Sequence, residues 1–101
     1  MLQSLSAIAL PYDWVNPLLL QAPVAPHLAA ASEGIKLDFS VLDQQLADTA
    51  TLPVSIRLIE GAGGWLLPLN DKRYLADWVG KHRLPVILVV GVKLGCLNHA
   101  L

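Results

Sequence analysis

The sequence has a single cysteine, Cys96, so no disulfide can close within the chain, and this usage suits a reducing compartment. It has no excess of either charge: Lys and Arg number 7 against 8 Asp and Glu, for a net charge of −1. No basic patch of the kind that follows a phosphate backbone is present, so nucleic acid is not an expected partner. Long apolar runs are also missing. A membrane-spanning helix needs about 20 consecutive apolar residues. The longest clean run here, residues 84–92, is less than half of that. Residues 18–31 are apolar but are broken by Pro23 and Pro26. The first ten residues hold no Lys or Arg, so no secretory signal is expected. These absences together predict a cytoplasmic chain with no membrane partner.

What is present is apolar. Hydrophobic residues make up 54% of 101 positions, and the mean hydropathy is +0.52. A small domain keeps a large share of its surface in water, so this composition fits a core piece whose covering layers lie elsewhere. The expected organisation is one central fragment of a single α/β domain, residues 1–101.

Four prolines, Pro11, Pro17, Pro23 and Pro26, punctuate the first 26 residues and disfavour helix before each of them. A short helix is expected over residues 27–33, stopped by Gly34. Asp38 or Ser40 is placed to cap the next helix, which reaches about Asp48 and sets Val41, Leu42 and Leu46 at helical spacing. In residues 54–59, apolar residues alternate with Ser55 and Arg57, a strand signal. A helix over residues 73–82, capped by Asn70 or Asp71, carries Tyr74, Leu75, Trp78 and Val79 as its apolar stripe. Residues 85–90 are apolar throughout, which predicts a strand of a parallel sheet covered on both faces. A last helix is expected over residues 96–101. Strand, crossover helix and buried strand form one βαβ unit.

Two places can carry chemistry. The first is Glu60-Gly61-Ala62-Gly63-Gly64, at the end of the first expected strand. A carboxylate there sits at the rim where α/β sheets take ligands. The glycines let backbone approach a ligand closely, and a hard carboxylate suits Mg²⁺ beside phosphates. The alternative is a tight turn with a solvated Glu60. No Lys-Ser/Thr pair follows these glycines, so they do not make a phosphate loop. The second place is Lys93-Leu94-Gly95-Cys96-Leu97-Asn98-His99, which follows the second strand and opens a helix. Amides at a helix start suit a carboxylate or phosphate; the alternative is an ordinary connecting loop. Cys96 has no evident base beside it, and His27, His82 and His99 lack the spacing of a zinc site. Trp65 and Trp78 read as core.

At these two places the sequence becomes specific. The segment from Glu60-Gly-Ala-Gly-Gly-Trp-Leu-Leu-Pro-Leu69, then Ala76-Asp77-Trp78, then residues 84–101 with Leu94-Gly95-Cys96-Leu97-Asn98-His99-Ala100-Leu101, closely resembles dethiobiotin synthetase. Asn16-Pro17, Ala25-Pro26-His27-Leu28-Ala29 and Glu33-Gly34 follow the same family's pattern in order, so the resemblance covers nearly the whole chain. The glycine loop alone recurs in cobyric-acid-type amidotransferase synthetases; the Leu-Gly-Cys-x-Asn-His-Ala-Leu segment is far more selective.

The resemblance implies a partial P-loop-type parallel sheet with flanking helices, a fragment of a three-layer α/β domain, in a homodimer. It implies an ATP- and Mg²⁺-dependent ligase of biotin biosynthesis that joins CO₂ to 7,8-diaminopelargonate and closes the ring of dethiobiotin. It assigns Glu60 to Mg²⁺, and Glu60, Gly61, Ala62 and Gly63 to the loop beside ATP. It assigns Leu94, Gly95, Cys96, Leu97 and Asn98 to the substrate carboxylate, across the dimer. No catalytic residue of the family falls in this chain. Its phosphate loop, its catalytic lysine, its second acidic Mg²⁺ ligand and its adenine-recognising segment have no match here, so the chain is expected to be inactive alone. A different reading is a non-catalytic module that pairs with a full-length synthetase.

Overall fold

The computed structural model describes residues 2–100. Met1 and Leu101, the latter the expected end of the last helix, lie outside the described residues. In chain order the elements are α1 (Leu2–Leu5), α2 (Tyr12–Val15), α3 (Pro26–Glu33), α4 (Phe39–Ala50), β1 (Pro68–Asn70), β2 (Arg73–Tyr74), α5 (Leu75–Lys81) and α6 (Cys96–Ala100). The chain divides between Leu58 and Ile59 into two compact units.

In the first unit, α3 starts with proline at its first position, where a missing N–H costs nothing. It ends at Gly34, whose φ of 67° is left-handed. The Ile35 N–H returns to the Ala30 carbonyl at 2.8 Å and the Gly34 N–H to that of Ala31 at 3.4 Å, a Schellman closure. Glu33, on the last turn of α3, accepts from the N–H groups of Gln21 at 2.9 Å and Ala22 at 3.2 Å. One carboxylate thereby anchors the proline-rich segment that has few ladder bonds of its own. Asp38 caps α4, its carboxylate accepting from the Ser40 N–H at 2.8 Å and from the Ser40 hydroxyl. The Ser40 hydroxyl and N–H hold the Asp38 carboxyl below its ordinary range. Ala29, Ala30, Leu37 and Phe39 are the buried apolar residues of this unit. Where only irregular chain was expected near the start, single helical turns form at α1 and α2.

In the second unit, β1 and β2 pair antiparallel, Pro68 opposite Tyr74 and Asn70 opposite Arg73. Asn70 does not cap a helix as expected. Its side-chain oxygen accepts from the Lys72 N–H at 3.0 Å and closes the tight turn between the strands. The helix therefore starts at Leu75, two residues late, with the Asp77 carboxylate accepting from the Tyr74 N–H at 2.7 Å. Trp78 is 3% exposed and its ring lies 5.1 Å from that of His82. With Leu69 it is the core of this unit.

The expected parallel sheet is not present among the described residues, where the only ladder is the antiparallel pair. Helices with a short ladder are compatible with an α/β fragment and nothing finer. Arg57, expected to alternate along a strand, instead reaches back to α4. Its guanidinium donates to the Leu46 carbonyl at 2.9 Å and the Thr49 hydroxyl at 3.2 Å, joining a hydroxyl that already donates to the Gln45 and Leu46 carbonyls within the helix. Residues 85–90, expected to be covered on both faces, are exposed: Ile87 is 86% and Val89 89% accessible. A parallel strand takes its ladder bonds from neighbours on either side, and no described strand pairs with either segment.

Candidate functional site

The glycine segment hangs between Ile59 and the hairpin. Its downstream end is fixed by the Leu67 N–H donating to the Gly64 carbonyl at 3.1 Å, and by the Leu75 N–H donating to that of Leu67 at 2.8 Å. The backbone favours glycine at one of its positions, and a side chain crowds a second. Gly63 has a φ of 74°, and a Cβ there would lie 3.1 Å from Leu67 Cδ1. A Cβ on Gly61 would lie 3.1 Å from Leu75 Cδ2. The N–H groups of residues 61–65 donate to no carbonyl among the described residues. Glu60, Gly61, Ala62, Gly63 and Gly64 are all exposed. A carboxylate followed by a row of free amides offers one ligand group for a cation and several donors for an anion.

The second segment turns sharply at Gly95, whose φ is 90°. The Cys96 N–H donates to the Lys93 carbonyl at 2.9 Å and the Asn98 N–H to the Gly95 carbonyl at 3.2 Å. Two of the amides expected to be open at this helix start are thus engaged in the turn itself. Leu94 and Leu97 are exposed and Cys96 is half-buried.

An open hollow of about 340 Å³ is lined by residues 63–65, residues 88–91 and Lys93. It brings Gly63 and Gly64 of the first segment to the same space as Lys93, the residue that starts the second. Glu60, Gly61 and Ala62 do not line it, nor do Leu94, Gly95, Cys96, Leu97 and Asn98. Trp65, expected in the core, is 39% exposed and forms part of its wall. Among the described residues, no group of three or more His, Cys, Asp or Glu gathers as a metal cage. A single carboxylate still suits Mg²⁺, which keeps water and phosphate oxygens as most of its shell. No helix among the described residues is long and apolar enough to cross a membrane.

Comparison with known families matches residues 1–101 to the family described as an AAA domain. The chain belongs to that family. Among curated proteins, it is 49% identical over 100 residues to an ATP-dependent dethiobiotin synthetase of Aliivibrio salmonicida, covering 99% of this chain and 44% of the relative. It is 46% identical over 101 residues to the protein of that name from Aeromonas salmonicida, covering 100% and 45%. The Photobacterium profundum protein of that name is 48% identical over 100 residues, covering 99% and 45%. The chain spans less than half the length of these relatives. The resemblance read from the two loops is thereby borne out along the whole chain.

Proposed function

We propose that this chain is the central segment of an ATP-dependent dethiobiotin synthetase, one part of a single α/β domain, and that it is inactive alone. The observation that carries the reading is identity of 43–49% to proteins of that name across nearly every residue of the chain. A chance likeness confined to one glycine loop would not extend through the proline-rich start and both loops.

On this reading the substrates are ATP, CO₂ and 7,8-diaminopelargonate. Glu60 supplies the one carboxylate that this chain offers to Mg²⁺. The bound ion would offset negative charge on the ATP phosphates. The amides of Gly61, Ala62 and Gly63 face the same charge, and the unengaged amides of residues 61–65 support that role. Leu94, Gly95, Cys96, Leu97 and Asn98 hold the substrate carboxylate from the second subunit of a homodimer in the cytoplasm. The chain has no Gly-x-x-x-x-Gly-Lys-Ser/Thr segment, so the positioning that phosphoryl transfer depends on must come from other residues of the complete enzyme.

A hybrid tests the proposal. Residues 1–101 replace the matching residues of the Aliivibrio salmonicida relative, and the hybrid is placed in a bacterium that lacks dethiobiotin synthetase. Growth without added biotin is expected from the hybrid and not from the chain alone. A soluble, folded hybrid with no dethiobiotin-forming turnover would overturn the assignment.

A further inference from the structure

We draw no further inference here: the strongest candidate, the exposed apolar surface patch along residues 86–92 between α5 and α6, carries none because nothing in the structure shows what covers it.

Discussion

Ile87 and Val89 are among the large apolar side chains that the isolated chain leaves open to water, with Val92 and Leu94 beside them. The side chains of Ile87 and Val89 are 86% and 89% exposed, so they stabilise almost nothing within the chain. Covering a Val or Ile side chain completely is worth about 2 kcal/mol, so the pair offers roughly 4 kcal/mol to any contact that buries both. That is close to the whole stability of a marginal domain, about 5 kcal/mol. The wild-type chain is therefore expected to self-associate at micromolar concentration and to bind a hydrophobic dye. The double substitution Ile87→Lys and Val89→Lys removes the share of that drive that these two residues supply, and like charges on the two copies then oppose contact. At about 1.4 kcal/mol per decade, the association midpoint should move up by roughly three decades. Helical signal in the far ultraviolet should stay the same, because neither side chain belongs to the cores around Phe39 or Trp78. Sedimentation velocity over a concentration series reads the midpoint directly. A wild-type chain that stays monomeric at high concentration and melts in one sharp transition would refute the reasoning. So would an association midpoint that the double substitution leaves in place.

The other predictions use that solubilised double variant unless stated. Gly63→Ala should destabilise the second unit by about 1–2 kcal/mol in urea, because its φ of 74° is left-handed and the new Cβ meets Leu67; Gly64→Ala, which meets nothing within 4 Å, should cost much less. The depressed Asp38 carboxyl makes α4 most stable above the ordinary carboxylate value, with stability lost as pH falls through the lower folded value; Asp38→Asn should keep the cap but flatten this acid limb in circular dichroism. In the hybrid synthetase, Glu60→Gln should lower turnover on the order of a hundredfold with the fold intact, and unchanged turnover and Mg²⁺ dependence would reduce Glu60 to a turn residue. The chain itself should show no saturable micromolar heat with ATP and Mg²⁺ in calorimetry, since free amides and one carboxylate leave most triphosphate charge uncompensated; micromolar binding lost in Glu60→Gln would contradict this.

The helices were legible wherever the signal was local. Gly34 marks the end of α3 because a left-handed closure needs a residue without Cβ, and Asp38 marks the start of α4 because its carboxylate reaches the N–H two residues on. Both devices work over a few residues and carry their own partners with them. The strands were not legible in the same way. An apolar run such as residues 85–90 encodes which faces are buried, and the neighbours that bury them are contributed by distant segments. Without those, the run shows its pattern and no ladder. Asn70 misled for a related reason. The same short side chain that caps a helix also closes a turn, and only the antiparallel pairing of Pro68 with Tyr74 decides between the two.

The candidate site divides along the same line. The candidate residues were chosen by type and order: a carboxylate, three glycines in the next four positions, and a glycine at a helix start. Their mutual placement was not. Lys93 read only as the first residue of the second segment, yet its hollow includes Gly63 and Gly64, thirty and twenty-nine positions away in the sequence. Trp65 read as core because an indole is large and apolar, but the left-handed turn at Gly63 leaves it on the wall of that hollow. The reverse holds at the second segment, where a helix start promised open amides. The turn at Gly95 takes up those of Cys96 and Asn98 within itself. A backbone donor already satisfied has less to offer a carboxylate. Any hold on the substrate there would then rest on the remaining amides and the Asn98 side chain, a narrower set of groups than the sequence alone suggested.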